Sequence, residues 1–340
     1  MDPIDPNPSN PPSPPPGVVA DAELGRLNAL ADQLRQRIAD VVLGHDDAVD
    51  FLLATYVAGG HALLEGVPGL GKTLLARAFS ASLGLELQRV QFTPDLMPAD
   101  LLGTNIFDRQ QGDFRLVKGP IFTQVLMADE INRTPPKTQS ALLEAMQERQ
   151  VSIDGDTLLL DPSFFVVATQ NPLEFEGVYP LPEAQLDRFL LRISLDLPQR
   201  EAEREIYARA VTGRLTGWSG GPQLPSPVIS PQDAAALRLG STRIHVESSI
   251  LDYLVELSSA VRDSRHVDLG PSPRGALALL ETARGLALLE GRSAVIPDDL
   301  KALLAPCWGH RILMAAESEL EGYSPGRVLA EVADRVEVPR

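Results

Sequence analysis

The chain has 340 residues, room for two domains and a tail at about 150 residues per domain. Lys and Arg number 30 against 46 Asp and Glu, a formal net charge of −16, which disfavours general binding to phosphodiester backbones. Its 44% hydrophobic content suits a globular core, and the single cysteine, Cys307, excludes an internal disulfide or a thiolate-clustered metal site. No apolar run reaches the roughly 18 residues of a membrane span, since residues 51–67 are broken by His61 and Glu65. Residues 1–6 lack a basic stretch and an apolar core, so no signal peptide is expected and a cytoplasmic location is.

Residues 1–17 hold eight prolines, and a disordered Pro-rich tail over 1–20 is expected rather than a ligand for a partner. From Asp21, Leu24, Leu27, Leu30, Leu34 and Ile38 recur at helical spacing, and a second helix follows over 46–57. Ala62-Leu63-Leu64 reads as a buried strand leading through a glycine-rich turn into a helix from Lys72 to about Leu83. Residues 87–92, 125–128, 164–169 and 190–193 are further short apolar runs between helical or irregular stretches. Strands alternating with helices predict an α/β fold, a mostly parallel sheet covered on both faces. Inside it, 103–117 and 150–160 look like hairpins turning at Gly112-Asp113 and Asp154-Gly155.

Gly, Pro and Ser gather near 213–231, a domain joint. Beyond it no strand pattern recurs; 231–240, 246–263, 273–290 and 297–305 read as helices. The expected organisation is an α/β core over 21–215, a linker over 216–230 and a small all-α domain over 231–335.

Gly66-Val67-Pro68-Gly69-Leu70-Gly71-Lys72-Thr73 fits the phosphate-loop pattern G-x-x-x-x-G-K-[ST] in full. Its glycines let backbone N–H groups converge on phosphate oxygens at a helix N-terminus. Lys72 is placed for the β- and γ-phosphates and Thr73 for Mg²⁺. Val125-Leu126-Met127-Ala128-Asp129-Glu130 is an apolar strand ending in two acids, Asp129 suited to the metal shell and Glu130 to polarising a water. Asn171, after another buried run, could bond both that water and the γ-phosphate if its strand lies between the other two; otherwise Asn171-Pro172 starts a turn. Arg188 offers a fork suited to phosphate, or a surface charge beside Asp187 and Glu183. His61, His245, His266 and His310 show no metal-ligand spacing and read as structural, and Cys307-Trp308 as lid core.

These stretches, with Gln91-Phe92-Thr93-Pro94-Asp95, Ala128-Asp129-Glu130-Ile131-Asn132-Arg133, Thr138 to Glu148 and Tyr179 to Phe189, resemble the MoxR family of AAA+ ATPases over roughly residues 25–310. The resemblance implies an AAA+ P-loop core followed by a small all-α lid, with ATP and Mg²⁺ as cofactors bound between them. It implies nucleotide contacts from Gly44 and His45, the latter where the family usually has Gln, and from Gly66, Val67, Pro68, Gly69, Leu70, Gly71, Lys72, Thr73 and Leu74. Asn171 falls at the first sensor position, Arg188 at the arginine finger that reaches a neighbouring subunit, and Arg274 at the second sensor. Arg133 is a second candidate for a contact in trans.

The two hairpins resemble inserts that face the channel of a ring. A homo-oligomer, a hexameric ring by family analogy, is therefore implied, as are a von Willebrand factor A-domain partner and a client protein complex. A chelatase-type motor subunit and a nucleotide-gated switch with little turnover are the alternatives, the latter disfavoured by Glu130. Nucleic acid and membrane are not expected as partners.

Overall fold

The computed structural model describes residues 19–110, 112–173, 177–212 and 224–339. Residues 1–18 of the expected tail and most of the expected linker lie outside that set. At their described margins Val19 is buried, and Ile229 enters the core beside a Val228 N–H bond to the Ser82 carbonyl at 3.0 Å.

Helices α1 (Asp21–Ala39) and α2 (Asp46–Val57) open the fold, followed by β1 (Ala62–Glu65), α3 (Lys72–Leu83), β2 (Leu87–Gln91) and α4 (Pro98–Leu102). A hairpin of β3 (Gly103–Asp108) and β4 (Asp113–Lys118) precedes β5 (Val125–Asp129) and α5 (Pro136–Glu148). A second hairpin, β6 (Gln150–Ile153) and β7 (Asp156–Leu159), leads to β8 (Phe165–Gln170), α6 (Glu183–Leu186), β9 (Leu191–Ser194) and α7 (Arg200–Val211). The lid contains α8 (Pro231–Ser241), α9 (Ser248–Arg262), β10 (Val267–Leu269), α10 (Pro273–Leu289) and α11 (Pro297–Trp308). It ends with β11 (Leu313–Met314), α12 (Ala316–Leu320) and α13 (Pro325–Arg335).

Five strands form one parallel sheet in the order β2-β5-β8-β1-β9. Each central strand alternates between two cores, because successive side chains point to opposite faces. Val125 and Met127 of β5, Phe165 and Val167 of β8, and Ala62 and Leu64 of β1 pack with α1 to α3. Leu126, Ala128, Val166 and Leu63 pack on the other face with Leu142, Leu143 and Met146 of α5. Tyr56, Phe79 and Phe165 meet at ring-centroid separations of 5.4 to 5.7 Å, each burial contributing about 1.5–3 kcal/mol.

The lid is not a second, separate core. Leu257, Leu279, Leu303 and Trp308 belong to the same apolar cluster as Leu52, Leu64 and Phe79. The lid also holds the antiparallel pair β10–β11, contrary to the expectation of helices alone. Strands of three and two residues are too short to show an alternation in sequence.

Candidate nucleotide site

The phosphate loop runs from the end of β1 to the start of α3, at the carboxyl edge of the sheet. Gly69 and Gly71 adopt φ of 91° and 86°, the left-handed region where a side chain would be strained, and nothing stands within 4 Å of where a Cβ would lie. The loop is therefore an open cradle of backbone N–H groups before a 12-residue helix. Lys72 Nζ donates to the Gly66 carbonyl and, at 3.4 Å, to that of Val67, so the ammonium already sits over the loop. Thr73 and Leu74 occupy the first turn of α3.

Sheet order brings the remaining groups to the same edge. Asp129 ends β5 and Asn171 directly follows β8, which lies between β5 and β1. The strand before Asn171 thus lies between those of the phosphate loop and Asp129, the order that such a role requires. Its Oδ1 also accepts from the Leu173 N–H at 3.2 Å, so the turn reading describes the same residue.

Asp129 is buried and both its oxygens are engaged. Thr169 Oγ1 donates to Oδ1 at 2.6 Å, while Arg89 Nε and Nη2 donate to Oδ2 at 3.0 and 2.6 Å. Glu130 has φ 57° and ψ 53°, an uncommon conformation for a side-chain-bearing residue, and its N–H donates to Thr169 Oγ1 at 2.8 Å. Its carboxylate accepts from Gln91 Nε2 at 2.8 Å and pairs with Arg133 Nε at 3.1 Å. Arg133, a candidate for a contact in trans, is thus placed beside the acid of its own chain.

Arg89, Gln91 and Thr169 are site residues that the sequence reading missed. The available signal was β2 itself, where Arg and Gln alternate in a strand beside the acidic one. Hard oxygen donors, one carboxylate and one hydroxyl beside a phosphate cradle, fit Mg²⁺, which is held through one or two carboxylates together with substrate phosphates.

A cleft of about 540 Å³ adjoins the loop, lined by Gly44, His45, Asp47, Asp196 and Ala202 among others. The His45 ring hydrogen-bonds the Leu70 backbone, and burial holds its pKa below the ordinary histidine value. A Cβ on Gly44 would lie 2.9 Å from Pro198 and Ala202, so only glycine lets α7 approach this closely. Its walls are the starts of α2 and α7 and the segment after β9, not the lid helices.

Arg188 and Arg274 lie elsewhere. Both line a 370 Å³ pocket with Gly60, His61, Asp187 and Arg311. Gly60 and His61 precede β1, whereas Gly66 follows it, so the pocket and the phosphate loop occupy opposite edges of the sheet. The four residues of β1 put those edges roughly 13 Å apart or more. The expected arrangement, with nucleotide between the core and its own lid and Arg274 reaching it there, is therefore not the one observed. The cause is lid packing: α10 lies along α2, and α11 against β9, which puts the first turn of α10 beside the segment before β9.

A parallel β2-β5-β8-β1-β9 sheet with a complete phosphate loop, an acidic pair and an asparagine after the strand between them defines a P-loop ATPase of the AAA+ class. The family "ATPase family associated with various cellular activities (AAA)" matches residues 61–191, and the AAA lid domain matches 259–332. The uncharacterised protein YeaC of Bacillus subtilis is 42% identical, over 92% of this chain and 96% of its own length. Chaperone MoxR1 of Mycobacterium tuberculosis is 40% identical over 88% of this chain and 80% of its own. Protein MoxR of Paracoccus denitrificans is 34% identical over 86% and 92%. A crystal structure of a candidate ATPase from Cytophaga hutchinsonii superposes with a TM-score of 0.85 at 36% identity, over 94% of this chain and 98% of that one. The chain belongs to the MoxR family of AAA+ ATPase chaperones, and membership implies nucleotide binding.

Proposed function

We propose that the protein hydrolyses ATP in a Mg²⁺-dependent reaction, as a ring of about six copies in which each nucleotide is completed by a neighbour. The observation that carries this reading is the placement of Arg188 and Arg274 on the sheet edge opposite the phosphate loop. A single copy cannot bring them to its own nucleotide, whereas head-to-tail packing presents them to the next copy's site.

The loop N–H groups and Lys72 bind the β- and γ-phosphates. Thr73 and Asp129 would hold Mg²⁺, which when bound neutralises charge on the phosphate oxygens. Asn171 orients a water, and Glu130 accepts its proton as the water oxygen bonds to the γ-phosphorus and the bond to the β-phosphate oxygen breaks. The neighbour's guanidinium groups stabilise the charge that develops on the transferred phosphoryl group.

The work done is remodelling of protein complexes in the cytoplasm, together with a von Willebrand factor A-domain partner, in complex assembly or metal-cofactor insertion. Family membership supports the chaperone role, and the exposed Phe107 and Phe114 on the first hairpin support contact with protein. No described helix is long and apolar enough to cross a membrane.

Two variants test the chemistry. Glu130→Gln should bind a fluorescent ATP analogue normally while phosphate release drops at least about 10²-fold, and Lys72→Ala should lose binding. Unimpaired turnover by Glu130→Gln would contradict the assigned base.

A further inference from the structure

We propose that Arg311 is the positioning residue for the arginine pair, locking Arg188 and Arg274 into one rigid unit through Asp187. This rests on the reading that the two arginines act on a neighbour's nucleotide. The side chain of Arg311 is only 4% exposed, and each of its three nitrogens is used. Nε donates to Asp187 Oδ1 at 2.7 Å, Nη2 to the carbonyls of Asp187 at 3.2 Å and Phe189 at 2.8 Å, and Nη1 to that of Leu190 at 3.0 Å. These acceptors flank Arg188 on both sides. One guanidinium from the lid therefore grips the backbone that carries the finger.

Asp187 extends the grip to the other arginine. Its Oδ2 lies 3.6 Å from Arg274 Nε, so one carboxylate bridges Arg311 and Arg274. The stem of Arg311 packs on the first turn of α10, where a Cβ on Gly275 would lie 3.1 Å from Arg311 Cδ. Trp308 Nε1 donates to the Gly275 carbonyl at 2.9 Å, and buried His310 bonds the Phe189 carbonyl at 3.1 Å. Residues 308–311 thus hold both arginine-bearing segments from a single turn.

A buried charge is expensive to desolvate, and an apolar residue of similar volume often serves packing as well. What an apolar residue cannot do is fix four carbonyl and carboxylate oxygens at once; the guanidinium fork can. The consequence is mechanical: Arg188 and Arg274 meet the neighbour's γ-phosphate as one body rather than as two independent side chains.

Asp187→Asn and Arg311→Lys should each lower kcat by about 10- to 100-fold, the usual effect of displacing a catalytic group by about 1 Å. Affinity for a fluorescent ATP analogue should stay within about twofold, because the phosphate loop lies on the opposite edge. The decisive readout is subunit mixing. Asp187→Asn mixed one to one with Glu130→Gln should recover activity to about one quarter of wild type, as intact arginines from the second variant complete intact sites in the first.

Arg188→Ala mixed with Glu130→Gln is the control for trans action itself. Recovery in the control without recovery for Asp187→Asn would overturn the positioning role while leaving trans action standing. Failure of the control would overturn both. Unchanged kcat in Asp187→Asn and Arg311→Lys would overturn the positioning role directly.

Discussion

His61 is buried, with Nδ1 accepting from the Val166 N–H at 3.0 Å and Nε2 facing the Met146 carbonyl at 3.2 Å. That pairing requires a neutral ring, and burial pushes its pKa down to about 3, aided by the nearby Arg149 charge. His310, also buried, is lowered in the same sense, chiefly by desolvation. Between pH 6.5 and about 3 the unfolded chain binds a proton at His61 that the native state refuses, so stability falls as pH falls. The slope is about 1.4 kcal/mol per pH unit for each such histidine. Urea midpoints should therefore be higher at pH 7.5 than at pH 5, and His61→Gln should flatten the acid limb; an equal slope in the variant would contradict this account. The sequence assigned His61 a structural role from missing metal-ligand spacing, but its acceptor on β8 was invisible until strand neighbours were known. Arg89, Gln91 and Thr169 escaped for the same reason. They reach Asp129 and Glu130 only because β2 and β8 flank β5.

Both hairpins were legible, but only the second in its turn: Asp154 and Gly155 both have positive φ, as a two-residue turn of this hand demands. The first does not turn at Gly112-Asp113, since Asp113 already pairs with Asp108 as the first residue of β4, leaving a longer loop before it. The first hairpin presents Phe107 and Phe114 at 51% and 67% exposure, in edge contact at a centroid separation of 5.3 Å. Replacing both with Ser should lower the melting temperature by no more than about 3 °C, since an exposed aromatic pair contributes roughly 0.5–1.5 kcal/mol. A larger drop in a thermal melt would mean that the hairpin is part of the stabilising core. Helix α11 marks the limit of local rules. The expected helix ends at residue 305, yet the observed one continues through Pro306 to Trp308. Cys307 and Trp308 are buried in the shared core, and tertiary packing overrides the lost backbone donor.

At the scale of the molecule, the alternation of strands and helices was enough to anticipate a parallel sheet, and the phosphate loop and acidic pair were legible as local patterns. Where the lid sits was not, because its position depends on long-range packing of α10 and α11 against α2 and β9. That packing creates the central asymmetry. The phosphate loop, Asp129, Glu130 and Asn171 share one edge of the sheet, while Arg188 and Arg274 share the other. The most direct test is specific ATPase activity measured against protein concentration, with light scattering on the same samples with and without ATP. Activity per copy should rise as a large assembly forms. A constant rate from a stable monomer would contradict completion of the site by a neighbour.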